Sequence, residues 1–382
     1  MVDVSVSRSF QWFIVEVKKG YEIGKVTICQ APVMILLWVS AFLVHLALIL
    51  YIALPLIVEK FPAFCRRLVF KTHSGPSFGS RVYTHFESVD IPSGHGHNFY
   101  IASLDDKALL GVWHILPSNN EEISATDSRS YEEIMNSLPN DLPVFIYFHG
   151  NSKSRAIPWR VNIYKLLSSL GYHVFCFDYR GYGDSTGSLT GENDCLLDSL
   201  TVFQFVCKRF PSAPIFFWGH SLGTGVVGCL MDHLNKEHDS LPNIRLPKGI
   251  ILDAPFTCLT DVIHHRIFMK PYQLMPTLQE RFVSAMNKVK LSFNTQSNLI
   301  NCPIPIVILH AEDDAVVPFT LGKKLAEILS TNGTSVFFKP YEGKLGYRHN
   351  FIHTAPDLPD IITSFVQSTL SGSLNALEDL II

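Results

Sequence analysis

The second half of the chain alternates between continuous apolar runs and segments with helical patterning, and this alternation restricts its fold more than any other feature. A run that is apolar throughout suits a strand buried on both faces, and repeated strand–helix units build a parallel sheet. The predicted strands are 144–149, 173–178, 214–218, 249–253, 304–310 and 335–339. The predicted helices are 158–170, 194–210, 222–234, 321–329 and 358–370. The sequence therefore predicts an α/β fold with a mostly parallel central sheet and helices on both faces.

Four further segments complete this prediction. Two extended segments, 83–91 and 107–116, are expected to open the sheet as antiparallel strands. Residues 117–143 are polar and predict a surface insertion with one helical turn. Residues 254–301, rich in aromatic side chains, separate two predicted strands. Insertions at the carboxyl edge of such sheets cover the pocket, so we interpret 254–301 as a lid that lines an acyl-chain site, although its aromatics would also suit ordinary core helices.

A Gly-His-Ser-Leu-Gly motif lies at residues 219–223, where a predicted strand meets a predicted helix. A chain that turns this sharply needs glycine two residues before and two residues after the nucleophile, here Gly219 and Gly223. The serine between them is held exposed on strained backbone. The motif predicts that Ser221 is the nucleophile of a strand–turn–helix elbow.

A serine hydroxyl needs a base to take its proton and an acid to orient that base. With a serine on such an elbow, the acid follows a late strand and the base follows the last strand. Asp314 and its neighbour Asp313 come after the strand at 304–310, and we favour Asp314 because it directly precedes the Ala-Val-Val-Pro that leads into the next helix. His349 lies between the last strand and the last helix, which makes it the predicted base.

A tetrahedral intermediate also needs two backbone N–H donors for its oxyanion. Leu222 follows the nucleophile directly and is the first predicted donor. The second is expected in the turn after the first parallel strand, and Asn151 is our choice there. Gly150 permits close approach of the backbone, and His149 is expected to order the turn.

Together these motifs resemble the α/β-hydrolase-domain serine lipases of the lysophosphatidylserine lipase and monoacylglycerol lipase type. The resemblance covers about residues 105 to 370. It rests on the motifs at 149–151, 177–185, 219–225, 310–318 and 346–349. It implies an α/β-hydrolase fold and a hydrolase, anchored in the endoplasmic reticulum membrane with a luminal catalytic domain, that removes acyl chains from lysophospholipids or monoacylglycerols. The loop at 178–183 is expected to order a strand-to-helix crossover without catalytic work.

From Val33 to Val58 the chain carries no Asp, Glu, Lys or Arg. About 20 apolar residues suffice to span a bilayer as a helix, so we predict one transmembrane helix at 33–58. The run is too long and lies too far from the start of the chain for a cleaved signal peptide. A buried core helix is the alternative. The predicted division is a head at 1–32, the transmembrane helix at 33–58, a membrane-proximal linker at 59–82 and the catalytic domain at 83–382.

The orientation of this helix is weakly determined by the sequence. Basic residues flank both ends, so the positive-inside rule gives no clear bias. A glycosylation sequon at Asn332 lies in a polar turn and favours a luminal catalytic domain.

Composition excludes several classes of function. The net charge of -3, without a long run of one sign, argues against nucleic-acid binding. No Gly-rich phosphate loop and no metal-spaced cluster is present, so no metal or organic cofactor is implied. The eight cysteines are scattered, which favours buried thiols over a disulfide framework. The expected partners are a lipid substrate and the bilayer, and the sequence does not determine the oligomeric state.

Two alternatives remain open. The same serine, acid and base would also serve a protein palmitoyl thioesterase. A catalytically inactive adhesion or scaffold protein could keep the fold, but such proteins usually lose a member of the triad, and this chain has all three. Acyl transfer to a lipid acceptor is disfavoured because no His-x-x-x-x-Asp motif lies near His349.

Overall fold

In the computed structural model of the chain, eight strands form one sheet in the order β1-β2-β4-β3-β5-β6-β7-β8. β1 and β2 are antiparallel to each other, β2 is antiparallel to β4, and all other neighbours are parallel. The strands are β1 Gly96–Ala102, β2 Leu109–Ile115, β3 Val144–Phe148, β4 His173–Phe177, β5 Ile215–His220, β6 Gly249–Asp253, β7 Ile306–Ala311 and β8 Val336–Tyr341. The predicted α/β fold with a mostly parallel sheet is confirmed.

Residues 66–67 and 69 are helical, and ten further α-helices lie in the described part of the chain. They are α1 Gln30–Lys60, α2 Tyr131–Ser137, α3 Pro158–Ser169, α4 Glu192–Arg209, α5 Leu222–Glu237, α6 Leu259–His264, α7 Pro276–Lys288, α8 Thr295–Leu299, α9 Phe319–Thr331 and α10 Leu358–Ser371. The structure describes residues 30–61, 66–67, 69–72, 75, 79–92, 94–118, 129–237, 244–265, 269, 274–288 and 291–373. The predicted head and parts of the linker, of the 117–143 insertion and of the lid lie outside these residues.

The strand expected at 83–91 is wrong. Arg81–Tyr83 and Phe86–Val89 are short 3₁₀ helices, and the first strand begins at Gly96. Tyr83 is the last residue of the first 3₁₀ helix and Phe86 is the first residue of the second. Both are buried against Trp113 of β2, with ring centroids 6.4 Å and 4.9 Å away. Packing on this indole therefore overrides the extended pattern.

The 117–143 insertion contains two helical turns where one was expected. Ser130 caps α2 by accepting a hydrogen bond from the backbone N–H of Glu133, whose carboxylate in turn accepts one from the Ser130 N–H. This reciprocal capping box satisfies donors that would otherwise be unpaired at the start of the helix.

The sheet brings the carboxyl ends of four strands to one edge. Phe148 of β3 lies beside Gly219 of β5, His220 lies beside Asp253 of β6, and Asp253 lies beside Leu309 of β7. β3, β5, β6 and β7 are buried at every position, as their continuous apolar runs predicted. The loops that follow these strands therefore meet over the same edge of the sheet.

The 254–301 insertion carries α6, α7 and α8. Two of its aromatic residues, Phe256 and Phe293, are buried, and both lie against Gly225 of α5. Leu274, before α7, is 84 % exposed. One part of the insertion is thus packed on the elbow helix, as core residues are, while another part faces outward.

The chain divides into two units, residues 1–58 and 59–382. In the first, α1 contains the apolar segment Val33–Leu54, which has a mean hydropathy of 2.7 and no buried residue. Of the described helices, this is the one long and apolar enough to cross a membrane. Because its side chains are exposed, the alternative of a buried core helix does not fit.

Candidate active site

Ser221 lies between the end of β5 and the start of α5, at the predicted turn. Its φ is +53°, in the left-handed region that a residue with a side chain rarely occupies. The strained backbone is held on both sides: the Ser221 N–H donates to the carbonyl oxygen of Asp253 at 2.9 Å, and the Thr224 hydroxyl donates to the Ser221 carbonyl at 2.7 Å. Strain held in place in this way is typical of functional positions.

The two elbow glycines occupy positions without room for a side chain. A Cβ on Gly219 would lie 2.8 Å from the carbonyl oxygen of Gly223. A Cβ on Gly223 would lie 2.6 Å from the carbonyl carbon of Phe148 and 3.1 Å from the carbonyl oxygen of His149. These obstacles are backbone atoms, which cannot rotate away. The glycines let the start of α5 press against the end of β3.

The side chains of Ser221, His349 and Asp314 lie in one hydrogen-bonded line. The Ser221 Oγ is 2.9 Å from Nε2 of His349, and Nδ1 of His349 is 2.7 Å from Oδ2 of Asp314. All three residues are buried, with Ser221 and His349 each 8 % exposed. The base can therefore reach the hydroxyl proton while its other nitrogen donates to a carboxylate, the arrangement that activates a serine.

Asp314 and Asp313, adjacent in sequence, lie in different surroundings. Oδ1 of Asp314 accepts hydrogen bonds from the N–H groups of Val316 and Val317, at 2.7 Å and 2.9 Å. Asp313 instead accepts the backbone N–H of Arg348, at 2.9 Å. Asp314 is therefore the carboxylate that meets the imidazole.

The surroundings of Asp314 keep it ionised. Burial alone would raise the pKa of its carboxyl, but hydrogen bonds from His310 and His349 hold that pKa well below its usual range. His310, at the end of β7, has its Nε2 3.4 Å from Oδ2 of Asp314 and 3.0 Å from the carbonyl oxygen of Val317. A carboxylate that stays charged can stabilise a protonated imidazole.

The turn after β3 places Asn151 beside the elbow. A Cβ on Gly150 would lie 3.3 Å from the Ser221 Cβ, so the backbone of this turn passes close to the nucleophile. In the described part of the chain, the backbone N–H groups of Asn151 and Leu222 have no recorded acceptor. Leu222 is the first residue of α5, where an N–H has no partner within the helix. These two donors are thus available to an oxyanion.

Comparison with known proteins identifies the family. The chain is 37 % identical to the lysophosphatidylserine lipase ABHD12 of Danio rerio over 324 residues, which cover 84 % of this chain and 81 % of the relative. It is 36 % identical to that of Xenopus tropicalis over 329 residues, with the same two coverages. The human protein ABHD12B is 32 % identical over 284 residues, which cover 72 % of this chain and 74 % of the relative.

The chain belongs to the ABHD12 family of α/β-hydrolases. Residues 143–241 match a family model described as the alpha/beta hydrolase fold, and residues 276–350 match one described as phospholipase/carboxylesterase.

Solved structures share the fold of this ABHD12-family chain. An α/β hydrolase of Vibrio vulnificus is 17 % identical, with a TM-score of 0.55, and covers 80 % of this chain and 91 % of its own. The esterase Pf2001 of Pyrococcus furiosus is also 17 % identical, with a TM-score of 0.52, and covers 78 % of this chain and 96 % of its own. The predicted α/β-hydrolase fold is confirmed.

Several residues of the site were missed by sequence reasoning. The buried guanidinium of Arg160, on α3, donates to the carbonyl oxygens of Ser154 and Ser152 at 2.7 Å and of Gly150 at 3.4 Å. Nδ1 of His149 lies 2.7 Å from the same Gly150 carbonyl, which agrees with its expected role in ordering the turn. No pattern in the sequence indicates these hydrogen bonds, because their acceptors are backbone carbonyl oxygens, which every residue has.

His220 occupies the variable position of the elbow motif. Its Nε2 lies 2.9 Å from the backbone carbonyl oxygen of His349, which requires the Nε2–H tautomer. Burial, and then the nearby His349, lowers the pKa of His220 to about 3, so this imidazole is neutral. His220 thereby ties the loop of the base to the strand of the nucleophile.

Asp253, at the end of β6, is a second buried carboxyl near the site. Burial, and then repulsion from Asp314, raises its pKa to about 8, so it is mostly protonated at neutral pH. A neutral Asp253 leaves the single negative charge of this region on Asp314.

The loop at 178–183 forms salt bridges away from the reacting atoms. Asp178 accepts hydrogen bonds from the backbone N–H and the guanidinium of Arg155, at 2.7 Å and 2.6 Å. Arg180 donates to Asp198 of α4 at 2.7 Å. These buried pairs fix the crossover from β4 to α4, in agreement with a structural role for the loop.

Proposed function

We propose that this chain is a membrane-anchored serine hydrolase that cleaves the fatty acyl ester of lysophospholipids, with lysophosphatidylserine as the first substrate to test and monoacylglycerols as the second. The observation that carries the proposal is the hydrogen-bonded line from Ser221 through His349 to Asp314. The names of the ABHD12 relatives support the substrate class. The exposed apolar helix α1 supports an anchor in the bilayer, where lysophospholipids reside.

In the acylation step, the Ser221 Oγ attacks the ester carbonyl carbon while Nε2 of His349 takes the hydroxyl proton. The carbonyl oxygen becomes an oxyanion that accepts hydrogen bonds from the N–H groups of Asn151 and Leu222. One such donor contributes about 10²- to 10³-fold to turnover in serine hydrolases. Asp314 stabilises the imidazolium through Nδ1.

Collapse of the tetrahedral intermediate breaks the bond to the glycerol oxygen. His349 gives its proton to that oxygen, and the glycerophospho-headgroup or glycerol leaves. The acyl chain stays on Ser221 as an ester. Water then attacks this ester with His349 again as base, a second intermediate forms and collapses, and the fatty acid and the free serine are released.

We also propose that the protein lies in the endoplasmic reticulum membrane with its catalytic domain in the lumen. The sequon residue Asn332 supports this orientation, because it is exposed in the turn between α9 and β8. Treatment with an endoglycosidase should increase the mobility of the wild-type protein in a gel, and the Asn332→Gln variant should show no shift. A wild-type protein from cells that shows no shift contradicts the luminal orientation.

Labelling with a fluorophosphonate tests the nucleophile on the full-length protein in detergent micelles. Wild type should be labelled and Ser221→Ala should not. Ser199→Ala is the matched control, because Ser199 is a buried serine on α4 without a hydrogen-bond partner for its hydroxyl. Equal labelling of Ser221→Ala contradicts the proposal because another residue is then the nucleophile, and no labelling of wild type contradicts it and favours an inactive scaffold.

A substrate panel tests the acyl donor. The protein, reconstituted in vesicles, is given lysophosphatidylserine, lysophosphatidylcholine, a monoacylglycerol and a palmitoyl-cysteine peptide, and fatty acid release is measured. The highest kcat/KM is expected for lysophosphatidylserine, with none in Ser221→Ala. A preference for the palmitoyl-cysteine peptide would replace the lipase with the thioesterase.

A further inference from the structure

A short segment that follows the membrane helix in sequence lies directly on the turn that carries Asn151. We call residues 69–71 the juxtamembrane segment. α1 ends at Lys60, so only residues 61–68 separate this segment from the anchor helix. Val69 and Phe70 are buried, at 6 % and 4 % exposure, which is unusual for residues in a linker.

Two hydrogen bonds join the juxtamembrane segment to Asn151. The backbone N–H of Lys71 donates to the Asn151 carbonyl oxygen at 2.9 Å. The Asn151 side-chain Nδ2 donates to the Val69 carbonyl oxygen at 3.1 Å. Lys71 and Ser152 also form an isolated parallel β-bridge. The segment thus passes from a helical residue, Val69, to a residue, Lys71, that pairs with this turn.

The side chain of Phe70 fixes the segment from the other side. Its ring lies edge-on to that of Phe293, with centroids 6.2 Å apart. Phe293 in turn packs on Gly225 of α5, one turn after Ser221. The juxtamembrane segment therefore contacts both sides of the site, the turn of the second oxyanion donor and the packing behind the elbow.

The Asn151 N–H lies in the peptide plane that it shares with the Gly150 carbonyl, and the next peptide plane, which carries the Asn151 carbonyl, anchors the residue on the other side of its Cα. The carbonyl of Gly150, in the first plane, is held by His149 and Arg160. The carbonyl of Asn151, in the second plane, accepts from the Lys71 N–H and from the Tyr182 hydroxyl, the latter at 2.9 Å. An oxyanion donor is effective only if it is aimed before the charge develops.

We propose that the backbone of the juxtamembrane segment positions the second oxyanion donor, so that the chain leaving the membrane anchor orients a group of the site without touching the substrate. This inference rests on the proposed function. It also assigns a purpose to the amide of Asn151, which points at the juxtamembrane segment: the side chain holds the segment while the backbone N–H serves the oxyanion.

The test uses the full-length protein in detergent micelles with the soluble ester p-nitrophenyl butyrate, so that delivery from a bilayer does not affect the rate. Lys71→Pro removes the N–H that donates to Asn151. Lys71→Ala keeps that N–H and is the matched control. Asn151→Ala removes the side-chain donor to Val69 and keeps the backbone N–H of residue 151. Active sites are counted by fluorophosphonate titration, and kcat is expressed per titrated site.

Lys71→Pro is expected to lower kcat per site at least about tenfold, and Asn151→Ala is expected to lower it about fivefold. KM should stay within about twofold of wild type in both variants, because a misdirected oxyanion donor weakens binding of the transition state alone. Lys71→Ala should keep kcat within about twofold. A merely structural role would instead lower the thermal midpoint and the number of titratable sites, and leave kcat per site unchanged.

Wild-type kcat per site in Asn151→Ala and in Lys71→Pro overturns the inference, and Asn151→Ala alone decides it if the proline variant does not fold. Ser221→Ala is measured alongside. Hydrolysis that persists in Ser221→Ala overturns the proposed function itself. Loss of hydrolysis in Ser221→Ala, together with wild-type kcat per site in Lys71→Pro and Asn151→Ala, overturns only the role of the juxtamembrane segment.

Discussion

Replacing Gly223 by alanine would test whether the elbow depends on contact between two backbones. The new Cβ would lie 2.6 Å from the carbonyl carbon of Phe148, and still closer to its oxygen, whereas ordinary van der Waals contact begins near 3.4 Å. The carbonyl carbon alone requires a displacement of about 0.8 Å and the closer oxygen requires more, and this displacement must come from separation of α5 from β3, because backbone atoms have no rotamers to change. Gly228, on the same helix, offers a matched control: a Cβ there meets its nearest atom, in Thr295, at 3.4 Å.

The two substitutions should have opposite effects on the free energy of unfolding. Overpacking of a well-packed core costs about 1–3 kcal/mol and occasionally more, so Gly223→Ala is expected to destabilise by about 3 kcal/mol. Gly228→Ala adds a methyl group at ordinary van der Waals distance in a helix interior and should stabilise by about 0.5–1 kcal/mol. Activity should diverge further, because a misplacement of about 1 Å between nucleophile and oxyanion donors costs about 10²-fold.

Denaturant unfolding gives the two free energies, and the rate of fluorophosphonate labelling reports the elbow. Gly223→Ala should unfold at lower denaturant concentration and be labelled about 10²-fold more slowly, while Gly228→Ala should match or exceed wild type in both. Wild-type stability and labelling in Gly223→Ala refute the steric reasoning. Equal damage in both variants refutes it as well, since a general effect of alanine in this helix would then explain the loss.

Two further predictions concern the surroundings of the triad, and a third concerns a buried histidine at the start of β4. Asp314→Asn should lower kcat by about 10²- to 10⁴-fold, because an amide can fix the wrong imidazole tautomer, whereas Asp313→Asn should lower kcat less than about tenfold. Similar losses of kcat in the two variants would contradict the choice of Asp314 as the acid. His220→Leu removes the hydrogen bond to the backbone carbonyl of His349 and should lower kcat per titrated site about tenfold, with partial recovery in His220→Gln. Wild-type turnover in the leucine variant would show that this hydrogen bond does not position the base. Burial lowers the pKa of His173 to about 4, below the 6.5 expected when unfolded, so its contribution to stability is complete above about pH 6.5 and is lost as pH falls toward 4. In His173→Gln, the free energy of unfolding should therefore fall less steeply with pH between 6.5 and 4. An unchanged slope in this variant would contradict the lowered pKa of His173.

The parallel strands could be predicted from the sequence almost to the residue. β6 was predicted with its observed bounds, and the helices α5 and α10 begin at the predicted residues. These elements are buried on most sides, so a continuous apolar run or a clear helical period marks them without reference to a partner. The segment at 83–91 failed for the opposite reason: its conformation depends on packing against Trp113, a residue far away in sequence.

The candidate triad also follows from order along the chain. Ser221, Asp314 and His349 each lie in a segment that follows a predicted strand, and parallel strands bring such segments to one edge of a sheet. The choice between Asp314 and Asp313 needed the structure, since adjacent carboxylates differ only in the direction of their side chains.

The sequence by itself determined the mostly parallel character of the sheet, the elbow with its two glycines and the apolar helix before the catalytic domain. Each of these features depends on a local pattern of residues. Only the tertiary structure decided what surrounds the candidate site. His220 against the loop of the base and the juxtamembrane segment on the oxyanion donor join parts of the chain that are distant in sequence, and Arg160 joins α3 to backbone carbonyls of the turn before it. Such contacts depend on backbone carbonyls and N–H groups that every residue possesses, so no pattern of residue types predicts them.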